Sequence, residues 1–400
     1  MEKKYIERRE YLNRLFALQD KPVIKIITGI RRCGKSTVLN MFADCLLQQG
    51  ITDKQIIRLN FEDFACRHLL RPEALHQYVM ENTSADKRYY LFFDEIQNVA
   101  EFPAVINSLH LRENFDIYIT GSNAYMLSSE LATLISGRYV EIKMLPLSFK
   151  EFAGMFAGEP LAAIYKKYLE LGSFPGALMF KDNPEQLHDY LEGIYNTVVI
   201  KDIVARKNIS DPLMLQSVVS FVLDNIGSEL AVKKIADTMT SAGRKIDVRT
   251  VEKYLQALQE AFIIYSARRY NIRGRQHLRG NAKYYAADIS LRSVLLGQRG
   301  FDVGHILENI VYLELLRRGY EVYVGKVETL EVDFVAVSQS ETAYIQVAAT
   351  VRDEQTLARE LRSLQQIADH YPKLLLTLDE DPDADYNGIR RINALEWLMG

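Results

Sequence analysis

The chain has 400 residues, a formal net charge of −3 and a hydrophobic content of 48%. This length predicts two or three domains, and the apolar content is sufficient for packed cores. No apolar run reaches the roughly 18 to 20 residues that span a bilayer, and residues 1–10 lack the apolar core of a signal peptide. Cys33, Cys45 and Cys66 form no C-x-x-C pair, which argues against a disulfide framework or a zinc site. The composition therefore predicts a cytoplasmic protein without a membrane span.

The first predicted strand runs into a glycine-rich loop. Residues 24–28, Ile-Lys-Ile-Ile-Thr, have the pattern of a buried strand, and the next eight residues match G-x-x-x-x-G-K-[ST], the Walker A pattern. Glycines at both ends let backbone N–H groups point at phosphate oxygens, and the following helix adds the positive end of its dipole. Lys35 is then expected to reach the β- and γ-phosphates, and the Ser36 hydroxyl to hold Mg²⁺. The predicted nucleotide contacts are Gly29, Ile30, Arg31, Arg32, Cys33, Gly34, Lys35, Ser36 and Thr37.

A second apolar run ends in two acids. Residues 89–93 form this run, and Asp94 and Glu95 follow at the carboxyl end of the predicted strand in the manner of a Walker B strand. We predict that Asp94 orients Mg²⁺ through water and that Glu95 polarises the water that attacks the γ-phosphate. The alternative is that both are simply solvated carboxylates at a strand end. The glycine-rich loop argues against this alternative, because a nucleotide site needs such acids as its second half.

A third apolar strand, in residues 115–121, ends in small polar side chains. Ser122 and Asn123 are candidates for a γ-phosphate sensor, because this strand is expected to lie beside the other two. A simple N-cap of the next helix explains the same residues.

These segments together resemble the AAA+-like branch of P-loop ATPases, and within it a bacterial and archaeal group with a C-terminal domain of unknown function. Residues 60–63, 120–123, 136–138 and 145–152 fit that group, and the resemblance covers nearly the whole chain. It implies ATP and Mg²⁺ as cofactors. It also makes Arg138 the candidate arginine finger, in cis or from a neighbouring subunit, since a fixed guanidinium suits the charge of a phosphoryl transition state. The alternative is a salt-bridged surface arginine.

Residues 149–227 have a helical pattern, which predicts a lid and connector. The turn Gly172-Ser173-Phe174-Pro175 interrupts it and resembles a Gly-Gly-Phe-Pro-like turn of the same group. Ser173 replaces the second glycine, a change that need not alter the turn.

The stretch from Ala231 to Lys283 is strongly basic. It holds twelve Lys and Arg against four Asp and Glu, so it carries +8 and leaves the rest of the chain at −11. Two helical segments followed by two strands predict a winged helix. Such a surplus is typical of a polyanion-binding surface, whereas salt bridges to the acidic remainder, or a protein-contact role, are the alternatives. The candidate DNA contacts are Arg249, Lys253, Arg268, Arg269, Arg273 and Arg275.

The last segment combines a helix at residues 304–319 with three strands. Glu308, Asp333 and the triplet Gln346-Val347-Ala348 align with the PD-(D/E)xK nuclease core, which this segment resembles. The triplet lacks both the second metal-binding acid and the lysine. We therefore predict a nuclease-like fold that has lost cleavage, with activity through Glu314 or Glu331 as the alternative.

The whole sequence predicts an α/β protein with four parts. They are a P-loop ATPase domain with a parallel sheet (1–150), a helical lid and connector (151–228), a winged-helix module (229–298) and an inactive nuclease-like α/β domain (299–400).

The expected function is an ATP-hydrolysing, Mg²⁺-dependent switch that couples nucleotide state to a C-terminal module binding DNA or a protein partner. A metal-dependent nuclease with an atypical site, a nucleotide-gated module without turnover and a multimeric motor remain alternatives.

Overall fold

The computed structural model describes residues 6–122, 137–297 and 303–400. The chain forms two compact units, an N-terminal unit of Met1–Pro146 with Glu260–Phe262 and a C-terminal unit of Leu147–Gln259 with Ile263–Gly400. In these described ranges no helix is both long enough and apolar enough to cross a membrane.

The N-terminal unit alternates helices and strands along the chain. Its described elements are α1 Arg9–Leu18, β1 Ile24–Thr28, α2 Lys35–Gln48, β2 Ile56–Asn60, α3 Pro72–Glu81, β3 Tyr89–Asp94, α4 Phe102–His110, β4 Phe115–Gly121 and β5 Tyr139–Lys143. Short 3₁₀ turns occur at Asp53–Gln55, Phe64–Leu69 and Ile96–Asn98.

The five strands form one parallel sheet in the order β2-β3-β4-β1-β5. Strands β1, β3 and β4 are buried at every position, as expected when helices cover both faces of a parallel sheet. Because β4 lies between β1 and β3, the carboxyl ends of these three strands meet at one edge, where ligands of open α/β sheets bind. The predicted α/β fold with a parallel N-terminal sheet is confirmed.

The C-terminal unit begins with helices and ends in a large sheet. Its helices are α5 Phe149–Ala153, α6 Leu161–Leu171, α7 Pro184–Tyr195, α8 Ile203–Lys207, α9 Pro212–Asp224, α10 Val232–Ser241, α11 Val248–Glu260, α12 Ser290–Leu296, α13 Val303–Arg317, α14 Glu354–Gln365 and α15 Ala394–Met399. Its strands are β6 Glu229–Leu230, β7 Ile264–Asn271, β8 Gln276–Ala286, β9 Glu321–Val327, β10 Leu330–Val337, β11 Thr342–Ala348, β12 Lys373–Thr377, β13 Ala384–Tyr386 and β14 Ile389–Asn393. A π-helix at Asn196–Asp202 and 3₁₀ turns at Gly154–Phe156 and Pro175–Phe180 complete it.

Nine strands of this unit form one mixed sheet in the order β13-β14-β12-β11-β10-β9-β7-β8-β6. The hairpin of β7 and β8, the predicted wing, joins the strands of the nuclease-like segment through parallel pairing of β7 with β9. Two predicted parts, 229–298 and 299–400, therefore contribute to a single sheet. Their predicted boundaries stay predictions.

The turn at Gly172 is held by the start of α12. The Ser173 hydroxyl and backbone N–H both donate to the Asp288 carboxylate, which also accepts from the Ser290 N–H. Gly172 has φ of +75°, and a Cβ there would lie 2.6 Å from the Ser290 Cβ. Glycine is thus required at 172, whereas the serine at 173 supplies a hydrogen bond that a glycine lacks.

Candidate nucleotide site

The loop between β1 and α2 has the backbone shape that the Walker A pattern predicts. Gly34 (φ +103°) is left-handed, and Gly29 has φ +151°. A Cβ on Gly29 would lie 2.1 Å from the carbonyl oxygen of Met144, so no other residue fits there without moving the backbone. Arg32, at φ +69°, adopts a left-handed conformation unusual for a non-glycine residue. The loop is therefore a fixed structure that opens directly into the N-terminus of α2.

Lys35 is buried beside this loop. Its Nζ donates to the carbonyl oxygens of Gly29 at 3.0 Å and Ile30 at 3.3 Å, and it lies 3.9 Å from a Glu95 carboxylate oxygen. The structure thus brings the predicted phosphate-binding lysine and the predicted catalytic base to the same place.

The two predicted Mg²⁺ contacts also lie together. The Asp94 carboxylate accepts hydrogen bonds from the Thr120 hydroxyl and the Ser36 side chain. Burial raises the pKa of Asp94, and these two hydroxyl groups act against that shift. Hydroxyl and carboxylate oxygens are the hard ligands that Mg²⁺ takes in proteins, so the donor set fits this ion.

Glu95 is held mainly by hydrogen bonds to residues in and directly after β4. Its backbone N–H donates to the Thr120 hydroxyl at 2.9 Å, and its carboxylate accepts from the Ser122 hydroxyl at 3.0 Å and from the Gln97 side chain. Its φ of +52° marks a left-handed backbone directly after β3. Such strained positions persist where the surroundings over-determine them, often at functional sites.

Thr120 and Gln97 are residues of this site that no sequence pattern indicated. The parallel register, which sets Phe93 opposite Ile119, explains why Thr120 faces Asp94.

The remaining predicted nucleotide contacts vary in their surroundings. Arg31 forms an ion pair with Glu62. Cys33 is fully buried, and burial raises the pKa of its thiol. Ile30 is buried, Thr37 is half-buried in the first turn of α2, and Asn123 lies outside the described residues.

Arg138 is not brought to the phosphate loop of its own chain. Its carbonyl oxygen accepts from the N–H of Ile24, at the start of β1, and its side chain is exposed. The loop follows the other end of β1, roughly 13 Å away at about 3.3 Å per residue along a strand. This position does not suit an arginine finger that acts on the nucleotide of its own chain.

Arg8 and Tyr11 are further residues near the loop that no sequence signal indicated. The buried Arg8 guanidinium donates to the carbonyl oxygens of Cys33 at 3.1 Å, Leu145 at 2.7 Å and Pro146 at 3.4 Å. The Tyr11 hydroxyl accepts from the Leu145 N–H at 3.1 Å. These contacts tie the loop to the segment that follows β5.

The candidate DNA contacts of the basic segment fall into two groups. Arg269 pairs with Glu229 at 2.8 Å and Arg273 with Glu328 at 2.5 Å, which neutralises part of the predicted surplus. The other four are exposed, and the described part of the chain contains no ion pair for them: Arg249, Lys253, Arg268 and Arg275.

Lys283, counted above in the basic segment, lies inside the nuclease-like region instead. Its Nζ is 2.9 Å from Glu308, 2.8 Å from Glu331 and 3.5 Å from Asp333. Burial alone lowers the pKa of this lysine, but the three carboxylates outweigh it and raise the pKa overall. Burial, and next the charge of Glu308, raise the pKa of Asp333 to about 7.

The aligned triplet has a different partner set. The Gln346 amide donates to Glu360 at 2.8 Å, and its oxygen accepts from the Asp333 N–H at 3.3 Å. These residues line an open cavity of about 400 Å³. Within the described ranges, no group of three or more His, Cys, Asp or Glu side chains is arranged to hold a metal ion. The alternative acid Glu314 pairs with Arg317 and Arg318 at 2.6 and 2.9 Å.

Two domain families match the sequence. The AAA domain matches residues 21–153, and a domain of unknown function, DUF8612, matches residues 162–302. An uncharacterized protein of Haemophilus influenzae is 40% identical over 404 residues, which cover 100% of both chains. The uncharacterized protein MJ1544 of Methanocaldococcus jannaschii is 28% identical over 368 residues, covering 86% of this chain and 78% of that relative.

Among solved structures, the Walker-type ATPase PABY2304 of Pyrococcus abyssi is similar with a TM-score of 0.53. The match has 17% sequence identity and covers 74% of this chain and 97% of that chain. At this identity the likeness shows a shared fold.

Proposed function

The chain belongs to the same family as the Haemophilus influenzae protein, which it matches over its whole length, and it carries an AAA-type P-loop ATPase domain. We propose that it is a Mg²⁺-dependent ATPase that acts as a nucleotide-controlled switch. One observation carries the proposal: the side chains of Lys35, Ser36, Asp94 and Glu95 converge at the carboxyl edge of the parallel sheet. They come from two segments about 60 residues apart, the start of α2 and the end of β3, and in this proposal they supply a phosphate-binding cation, two oxygen ligands and a base.

Each residue of this group has a chemical role in the proposal. Lys35 leaves the loop carbonyls and neutralises phosphate charge, while Ser36 and Asp94 hold Mg²⁺, Asp94 through water. Glu95 orients the attacking water. Ser122, hydrogen-bonded to Glu95, reports whether a γ-phosphate is present, with Asn123 as the second candidate.

Arg138 has a role only across subunits in this proposal. Its place just before β5, beside the start of β1, and its exposure suit contact with the nucleotide of a neighbouring copy. Oligomer formation is therefore part of the proposal, with Arg138 as the residue that completes the neighbour's site.

Binding of DNA through the C-terminal unit is a second proposed function. It is supported by the exposed side chains of Arg249, Lys253, Arg268 and Arg275, which are free to meet phosphates in the described structure. Cleavage is not proposed. Gln346 is a poor substitute for a carboxylate, and the Lys283 ammonium already neutralises the nearby acids.

Phosphate release by the purified protein tests the main proposal. Glu95→Gln is expected to lower turnover by at least about 100-fold while ATP binding persists, because general-base catalysis contributes that much. Lys35→Ala is expected to lose both binding and turnover. The exposed Glu73→Gln serves as the matched control, since it removes one carboxylate of the same unit that has no assigned role in the site. Turnover that survives in Glu95→Gln contradicts the base assignment, and ATP binding without any turnover in the wild type favours the gated module.

The same assay with duplex and single-stranded DNA tests the second function. Stimulation that falls in Arg249→Ala/Lys253→Ala, together with a flatter salt dependence of DNA binding, supports a DNA ligand. If both substitutions leave the affinity for DNA unchanged, this surface is not the DNA-binding site. Absence of DNA binding by the wild type points to a protein partner.

A further inference from the structure

Arg8 makes an unusual set of contacts for an arginine that precedes a surface helix. Only 3% of the residue is exposed, and its guanidinium makes hydrogen bonds to three backbone carbonyls. One terminal nitrogen donates to Cys33, and the other donates to Leu145 and Pro146. Because the guanidinium is a rigid plane, the Cys33 carbonyl and the two carbonyls after β5 are held at a fixed separation.

The Cys33 carbonyl belongs to the same peptide unit as the Gly34 N–H. This unit is planar, so its carbonyl and its N–H point in opposite directions. In the proposed site the Gly34 N–H faces the phosphates, and the Arg8 guanidinium holds the other side of the same plane. A phosphate that accepts from the N–H polarises the peptide unit and strengthens its carbonyl as an acceptor. A phosphate bound at the Gly34 N–H would therefore strengthen the hydrogen bond from Arg8 to the Cys33 carbonyl.

The segment Met144 to Pro146 is joined to the loop at a second point. The Met144 N–H donates to the Thr28 carbonyl at 2.7 Å, and the Met144 oxygen packs against Gly29, where a Cβ would be 2.1 Å away. Both ends of the phosphate loop therefore contact this segment, Gly29 directly and Cys33 through Arg8. The segment is also where the chain leaves the N-terminal unit.

We propose that Arg8 is a positioning residue that transmits nucleotide occupancy of the phosphate loop to the exit segment Met144–Pro146. This inference rests on the proposed nucleotide site and goes beyond it, because it names the route by which that site controls the following chain. Tyr11, Leu12 and Leu15 are buried and anchor α1, and Arg8 is the residue directly before this helix.

Hydrogen–deuterium exchange of residues 144–149 tests the inference, with Mg²⁺ and a non-hydrolysable ATP analogue as the probe. In the wild type the analogue is expected to slow exchange there about five-fold. In Arg8→Gln the analogue is expected to bind within roughly ten-fold of the wild-type affinity, the equivalent of one lost hydrogen bond, but to leave this exchange unchanged. Arg9→Gln is the matched control, since Arg9 is the exposed neighbour that pairs with Glu7, and it is expected to behave as the wild type.

The outcomes separate this inference from the function on which it rests. Wild-type slowing that persists in Arg8→Gln, or analogue binding that never slows exchange at 144–149, overturns the role of Arg8 and leaves the nucleotide site intact. A wild type that does not bind the analogue overturns both. If Arg8→Gln does not fold, Arg8→Lys carries the test, because an ammonium lacks the planar fork; its slowing is expected to fall at least about two-fold.

Discussion

Lys283 is the clearest place to test how the C-terminal unit is held together. Its side chain is 5% exposed and lies within 3.5 Å of three carboxylates. Glu308 and Asp333 are buried with it, whereas the side chain of Glu331 is 40% exposed and is screened by water. Lys283→Met keeps most of the aliphatic stem and removes the charge, which leaves two buried carboxylates without their cation. Removing one partner of a buried ion pair costs about 3–5 kcal/mol, and we expect that loss in the free energy of unfolding at pH 8.

The same substitution predicts a specific pH dependence. Without the ammonium, the pKa values of the buried acids rise further, so the folded state takes up protons as the pH falls. Each unit of such a shift is worth about 1.4 kcal/mol, and the deficit of Lys283→Met is therefore expected to shrink between pH 8 and pH 5. The wild type contains a weaker form of this effect. The pKa of Asp333 is about 7 when folded, above its unfolded value, so its contribution to stability is fully present at low pH and declines as the pH rises toward 7.

Urea unfolding followed by the fluorescence of Trp397, the single tryptophan, measures this effect within the C-terminal unit. Lys253→Met is the matched control, since Lys253 is exposed in the same unit and its loss is expected to stay within about 0.5 kcal/mol. A deficit of Lys283→Met below about 1 kcal/mol, or one equal at pH 5 and pH 8, would refute the reasoning.

Two further predictions concern a thiol and a glycine. Iodoacetamide at pH 8 is expected to label the half-buried Cys66 in the native protein and to spare Cys33, which is fully buried with a raised pKa; peptide mass mapping that finds equal labelling would contradict this. Gly172→Ala is expected to lower the free energy of unfolding by about 2–4 kcal/mol, through both the positive φ and the clash with Ser290. Gly158→Ala also has a positive φ but meets no described atom within 4 Å, so about 1 kcal/mol is expected in the same urea titration; equal losses would exclude the clash.

The sequence was most informative where function depends on local chain geometry. The phosphate loop and the two acids at the carboxyl end of β3 are short motifs whose residue types follow from the phosphates and the metal that they are predicted to bind. Thr120 could not be found in this way. Its position opposite Asp94 depends on β3 and β4 being neighbours, a pairing between strands that are separated by a helix. Arg8 was hidden for a similar reason, since its acceptors are backbone carbonyls and backbone atoms leave no sequence pattern.

In the C-terminal unit the sequence predicted the individual helices and strands better than the contacts between them. The two helices and the hairpin of residues 232–286 form close to where the periodicity placed them. Alignment to a nuclease core identified Glu308 and Asp333 but treated the lysine as absent. A lysine enters the same cluster from β8, because β7 pairs with β9 and brings the hairpin beside the nuclease-like strands. That arrangement depends on contacts between segments about 50 residues apart, which no local pattern encodes.

The nine-stranded sheet limits where this chain can be cut. A fragment starting at residue 299 would leave one side of β9 as an open edge, with unpaired N–H and C=O groups where β7 had been. It would also leave Glu308 and Asp333 without Lys283. Proteolysis or gene fission between the hairpin and α13 would therefore yield a piece prone to aggregation.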